Sequence, residues 1–186
     1  MTIRTPAASK LNEPIIPGPR LIQTKVPNVT PKIVARYAAS EKEVLLATIR
    51  YNRLLDVFTG ATCYSLQTHL RTSLPAVGEV ETDEIYVGAN REETHYVLAV
   101  RVGCDKHELT PFQIERDLAV CAWRFPGLVC FAVGARFVED DLIALFQFDL
   151  VEAGVGLLSE KHYRLVPPDY VTSDDLAEYR RRLVKE

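Results

Sequence analysis

The sequence predicts an α/β protein: a mixed sheet covered by helices, in the order helix, three strands, helix, three strands, helix. Three observations carry that reading. "YVLAVRV" (residues 96–102) is a nearly continuous apolar run of strand length, the pattern of a strand buried on both faces. Downstream, Ile114, Leu118, Cys121, Ala122 and Phe125 fall at i, i+4, i+7, i+8 and i+11, one apolar face of a helix. "LVCFAVGARFV" and "LIALFQFDL" are two more strand-like runs, joined by Glu139-Asp140-Asp141 as a hairpin. Strands, a covering helix and strands again make a helix-and-sheet sandwich. The 186 residues, 47% hydrophobic and 25% charged, suit one domain with a full core.

Residues 1–29 carry five prolines and little periodicity, so they are expected to form an extended basic N-terminal arm outside a domain spanning 30–186. Thr30-Pro31 predicts the start of a short helix ending near Ala38. Ser40 with Glu43 three residues on is a capping-box pattern, and the apolar stripe that follows runs to about Phe58, with Gly60 as the stop. "TCYSLQTHLRTSL" alternates as a strand over Tyr64, Leu66 and Thr68, although its composition also permits a helix. A strand over residues 79–87 and a turn at "GANREETH" lead into the buried run. Thr110-Pro111-Phe112-Gln113 opens the amphipathic helix, in which Trp123 reads as core packing, and Pro126-Gly127 closes it. A shorter strand through Tyr163 and Leu165 precedes a last helix capped by Ser173.

Charge is unevenly spread. The first 40 residues hold Arg4, Lys10, Arg20, Lys25, Lys32 and Arg36 against Glu13 alone, leaving 16 basic and 24 acidic residues in the remainder. A basic arm on an acidic body suits either a nucleic-acid or acidic-protein contact or a plain solvated tail. The acidic body argues against broad, sequence-independent DNA binding, which needs many phosphate contacts. Cys63, Cys104, Cys121 and Cys130 show no paired spacing, and no leader or membrane-length apolar run stands out, so a reduced, cytoplasmic protein with no membrane contact is expected.

The acidic strand is "GEVETDEIYVG", where Glu79, Glu81 and Asp83 share one strand face within about 14 Å, beside Glu84. Like charges stacked this way repel, so something must neutralise them. A hairpin turning near Arg91 sets Asp83 opposite Arg101 and Glu81 opposite Gly103, which brings the carboxylates to the end of the buried strand. Carboxylates gathered there can hold Mg²⁺, which activates water, with a lysine stabilising charge.

The order of elements resembles the PD-(D/E)xK nuclease superfamily. "GEVETDEIYVG", "HYVLAVRVG", "QIERDLAVC" and "EKHYRLVP" are similar to a bacterial endonuclease-like family associated with restriction systems, over roughly residues 50–180. The resemblance implies a restriction-endonuclease-like αβββαβ core with extra C-terminal strands and helix, and a Mg²⁺- or Mn²⁺-dependent DNA endonuclease. Asp83 then occupies the metal-binding acidic position, Glu81 is a second ligand, and Gln113 is the polar residue of the following helix. DNA is the implied partner, together with a second copy of the chain or another subunit of a restriction system.

One departure stands against it. The family pattern expects an acidic residue or glutamine, a spacer and a lysine where this chain has Arg101-Val102-Gly103. Arginine has no lone pair to give a cation, so Arg101 is expected instead to neutralise Glu81 and Asp83 as a salt bridge. Lys106 can stand in for the lysine only from the next turn. The alternative is a catalytically inactive nuclease-fold protein serving as a DNA-binding or assembly subunit. Gln113 also completes a capping box with Thr110, and Glu115 and Asp117 suit the helix dipole without any ligand. Cys104-Asp105-Lys106-His107 lacks a second cluster at zinc spacing, and nothing in the sequence brings His69, Cys63 and Asp56 together. If the helix over 111–125 is a core element, Leu118→Ala leaves a cavity and lowers the unfolding free energy by roughly 2–5 kcal/mol. Urea titration measures this, and a loss below about 0.5 kcal/mol places Leu118 off the buried face.

Overall fold

The apolar run at residues 96–102 forms β4 (His95–Gly103), and the sheet is organised around it. The computed structural model describes residues 11–19, 21–75, 77–104, 107–152 and 154–183. Val97, Leu98, Ala99 and Val100 are all fully buried, and their alternation divides the core in two. Leu98, Val100 and Val102 pack with α2 (Glu41–Tyr51) and α3 (Leu54–Thr59). Val97 and Ala99 pack on the opposite face with Val120 and Cys121 of α4 (Pro111–Arg124). Leu118, 4% exposed, sits on the same side with Ile114.

Seven strands make one mixed sheet in the order β1-β7-β6-β5-β4-β3-β2. These are β1 (Gln23–Pro27), β2 (Thr62–Leu74), β3 (Gly78–Ala89), β4, β5 (Val129–Glu139), β6 (Leu142–Val151) and β7 (Gly154–Val166). β2, β3 and β4 are successive antiparallel neighbours, as are β5, β6 and β7. β4 and β5 run parallel, joined through α4. The αβββαβ order is therefore present, with further strands and a last helix, α5 (Ser173–Leu183), after it.

Local chemistry explains most of the boundaries. Ser40 accepts from the Glu43 amide and caps α2. The stripe expected to run unbroken to Phe58 is interrupted at Asn52-Arg53. Asn52 is buried, donates to the Thr48 carbonyl and the Thr30 hydroxyl, and accepts from the Val29 amide. Arg53 then takes a left-handed conformation, φ 51°, and α3 starts as a separate helix. Gly60 ends it at φ 72°. Pro31, not Thr30, stands at the N-cap position of the short α1 (Lys32–Tyr37) with no side-chain cap bond, while the Thr30 hydroxyl accepts from Asn52. Thr172, one residue before the expected Ser173, caps α5 by accepting from the Asp175 amide. Trp123 does not pack in the core. It is 53% exposed, nine residues beyond Ile114 and off the buried stripe.

The largest difference concerns the arm. Residues 23–27 form β1, a parallel edge strand on β7, and Ile15 and Leu11 hydrogen-bond to Leu109 and Phe112 across the sandwich. From residue 11 onward the described arm lies on the domain, so the boundary expected at 29/30 does not separate an arm from a body. An edge strand of five residues takes its stability from backbone pairing, which leaves no side-chain period to detect, and Pro27 is tolerated at its end. Similarly, β7 is a 13-residue strand rather than the short piece expected around Tyr163.

Lys25 of β1 donates to Asp175 of α5 at 2.8 Å, and the Tyr179 hydroxyl donates to the Lys25 carbonyl at 2.8 Å. Lys25, together with bonds from Thr172, holds the Asp175 carboxyl down at about 2, below its ordinary 3.8. A depressed carboxylate stabilises the native contact above its unfolded pKa and loses that contribution as pH falls through the folded value. The α5–β1 contact is therefore expected to loosen on acidification from about pH 4 to about pH 2. NMR shifts of Tyr179 report it, and Lys25→Met removes most of that pH dependence.

Candidate functional site

β3 does not alternate cleanly, and the site follows from where it slips. Thr82 faces α4, where its hydroxyl donates to Asp117 at 2.7 Å, and Ile85 packs on the same side with Val120. Two residues rather than one therefore lie between consecutive α4-facing positions. Both Asp83 and Glu84 are turned toward α2, where Lys42 meets Asp83 and Arg50 meets Glu84. On the opposite strand the pairing keeps its register past this point, its own shift falling earlier, between Ser65 and Gln67. Thr68 pairs with Glu84 and Leu70 with Thr82, while His69 between them sits at φ 48°. Such an irregularity re-aims a side chain that regular pleating would send elsewhere.

Asp83 is 1% exposed and fully engaged. One oxygen accepts from the Lys42 ammonium at 2.5 Å, and the other accepts from the Val102 backbone amide at 2.9 Å. Arg101 Nη1 stands 4.0 Å away. The β3–β4 ladder runs as the hairpin requires, with Glu84 opposite Val100 and Ile85 opposite Ala99. The recorded pairing ends there, and the strands part just where Asp83 inserts its carboxylate. A cleft of about 590 Å³ opens at this end of the sheet, lined among others by Ser40, Lys42, Glu81, Asp83, His107 and Gln113.

Arg101 behaves otherwise than expected. Its guanidinium forks onto Asp117 at 2.5 and 2.7 Å and donates to the Glu81 carbonyl, so its main partner is the helix carboxylate rather than Asp83 or the Glu81 side chain. Burial works against the Arg101 charge, yet the bonds to Asp117 and the nearby Asp83 and Glu81 outweigh it and raise the pKa. Asp117 is fully buried and was expected to serve only the helix dipole. The signal was available. Asp117 lies three residues after Ile114 and four before Cys121, the one charged residue on the apolar stripe of α4. Lys42 had no such signal, since its position on an early helix turn is ordinary for a solvated lysine.

Glu81 turns outward. It is 43% exposed and pairs with Arg71 at 3.1 Å on β2, with His69 at 4.0 Å. Gln113 closes a reciprocal capping box with Thr110 while its side chain lines the cleft. Lys106 and Asp105 lie outside the described residues. At Gly103, where the resemblance leads one to expect a lysine, an added Cβ would meet Leu109 Cβ at 3.0 Å and its backbone nitrogen at 3.1 Å. Leu109 is 1% exposed and also fills the space over Gly134, where a Cβ would come within 2.5 Å of it.

Mg²⁺ demands near-octahedral oxygen donors. Asp83 gives its oxygens to Lys42 and Val102, Glu81 is drawn to Arg71, and Arg101 has no lone pair to offer. Among the described residues no group of three or more His, Cys, Asp or Glu is placed to hold a metal ion. Among the described residues the donor set does not fit Mg²⁺ or Mn²⁺. Among the described residues no helix is long and apolar enough to cross a membrane. No protein-family model, curated protein or solved structure matches the chain.

Removing Arg101 leaves Asp117 buried with only a hydroxyl donor. Arg101→Ala is expected to cost about 3–5 kcal/mol in denaturant unfolding, the range for breaking a buried pair by deleting one partner. Arg101→Met with Asp117→Leu should recover most of that loss.

Proposed function

We propose that the chain is a restriction-nuclease-like protein in which an ion network has replaced the metal centre, and that it serves as a DNA-binding subunit of a restriction-type assembly rather than as the cutting subunit. The observation that carries this is Asp83. The carboxylate at the family's metal-binding position is held by Lys42 and the Val102 amide, with Arg101 alongside. The ligand and lysine positions on either side of the spacer are occupied by an arginine committed to Asp117 and by a glycine covered by Leu109. The resemblance supplies DNA as the ligand, and Lys42, which lines the cleft with its side chain 25% exposed, is the cation nearest to a phosphate there.

A second reading has one observation in its favour. Lys42 brings a lysine to Asp83 from the helix side, where it could replace the one missing at Gly103. On that reading the chain remains a Mg²⁺-dependent endonuclease, and Lys42→Met abolishes cleavage of plasmid DNA.

Titration calorimetry with Mn²⁺ and plasmid nicking assays separate the two. The native chain is expected to give no saturable Mn²⁺ binding and no nicking, and to bind duplex DNA equally with and without a chelator. Tight Mn²⁺ binding that Asp83→Ala abolishes overturns the proposal and restores the endonuclease. Arg101→Gln with Gly103→Lys rebuilds the family's pattern in sequence, but it is expected to lose stability through Leu109 before it gains metal.

A further inference from the structure

The sheet has two edges, and they differ in how they are guarded. β1 is five residues long, carries Lys25 and Pro27, and is met by the Tyr179 hydroxyl of α5 at the Lys25 carbonyl. A short strand, a lysine, a proline and a covering helix are the devices that keep an edge from pairing with another chain. β2 at the other edge runs 13 residues, and among the described residues β3 is its one neighbour in the sheet. Its only permanent charge is Arg71. Such an edge presents a row of unpaired N–H and C=O groups.

One stretch of β2 is fit to pair again. Residues 70–74 run against residues 78–82 of β3 without a shift of register. His69, left-handed at φ 48°, bounds the stretch on one side, and Pro75 bounds it on the other. Leu70 and Leu74 turn inward and pack with Val80 and Val120. Arg71 and Ser73 lie exposed on the opposite face, across from Glu81 and Glu79. Arg71, its side chain 79% exposed, pairs with Glu81 at 3.1 Å. Glu79 is exposed as well. Its carbonyl accepts from Arg116, but among the described residues its carboxylate meets no cation.

We infer that β2 pairs antiparallel with β2 of a second copy of this chain, about a two-fold axis through Thr72, so that two sheets become one. Leu70 then lies opposite the partner's Leu74 and extends the apolar row, with Thr72 opposite the partner's Thr72. On the other face Arg71 lies opposite the partner's Ser73, which is small enough to leave its guanidinium a path to the partner's Glu79. Two strand spacings of about 4.8 Å separate those backbones, a span of about 10 Å that two long side chains cover. Each Arg71 stands between Glu81 of its own chain and the partner's Glu79, and the contact is reciprocal, as a two-fold interface requires. The charges also fix the register. A centre on Arg71 sets two guanidinium groups against each other, and a centre on Ser73 brings Pro75 into the ladder. Five residues a side make a small interface, so the dimer is expected to be weak, with a Kd of roughly 10–100 μM. The pairing does not rest on the reading of the cleft, since it involves neither DNA nor a metal.

Sedimentation velocity of the full chain, over concentrations reaching about tenfold on either side of that Kd, measures the dimer. Ser73→Arg sets a guanidinium against the partner's Arg71 twice per dimer, while within its own chain it faces Glu79 and leaves folding intact. It is expected to weaken the dimer about tenfold with the melting temperature unchanged or raised. Ser73→Glu places a carboxylate there instead and is expected to tighten it about fivefold. Arg71→Glu combined with Ser73→Arg exchanges the two charges and restores the dimer. In the native chain, amide exchange at residues 70–74 slows as concentration rises, which locates the contact on this edge. A monomer at every concentration, a dimer indifferent to Ser73→Arg, or association growing past two copies overturns the inference. Should Ser73→Arg not fold, Ser73→Glu decides: an affinity it leaves unchanged or weakened overturns the inference.

Discussion

Everything at the cleft end of the sheet depends on the need to neutralise a carboxylate that has been taken out of water. Asp83 is buried, and an isolated ionised carboxylate there would be far too costly. The answer is a chain of charges through the sandwich: Lys42 on α2, Asp83 on β3, Arg101 on β4, Asp117 on α4, with the Thr82 hydroxyl closing the far end. Each member belongs to a different element from its neighbour, so the network pins both covering helices to the central hairpin. Its value lies less in net stability than in the penalty for any arrangement that leaves one member alone.

The same slip in β3 explains why two acidic neighbours can be buried on one face. Regular pleating would send Glu84 toward α4, away from Arg50. Instead Glu84 faces α2 beside Asp83, opposite the stretch of β2 where His69 is left-handed. α2 then supplies one cation to each, Lys42 near its start and Arg50 in its last turn. The opening of β3 and β4 beyond Glu84 frees the Val102 amide for Asp83. The result is a carboxylate held closed between Lys42 and the Val102 amide.

Leu109 completes that closure. It occupies the volume that side chains at Gly103 and Gly134 would need, and its carbonyl accepts from Ile15 of the N-terminal segment. Gly103 is therefore part of a packed core, and a point substitution there meets backbone as well as side chain. This coupling is why the binding reading is favoured over a site that one lysine would restore.

Much of the architecture was legible because it rests on local periodicity. The doubly buried β4, the stripe on α4, the hairpin at Asp140-Asp141 and the register of β3 against β4 all follow from spacing and turn length, which tertiary context refines but does not reverse. The Ser40 cap and the Thr110 capping box are equally local, although the Glu43 side chain reaches back to Ala39 rather than to Ser40. Tertiary structure decided what has no period. It made β1 a strand by giving it an edge, broke the long helix through the bonds of Asn52, and drew Glu81 away to Arg71. It also chose Lys42 and Asp117 as the partners of Asp83 and Arg101, across 41 and 16 residues of chain. A sequence displays which charges must be neutralised. Which cation reaches which carboxylate is fixed only when the helices close over the sheet, because desolvation there makes an unpaired charge too costly to keep.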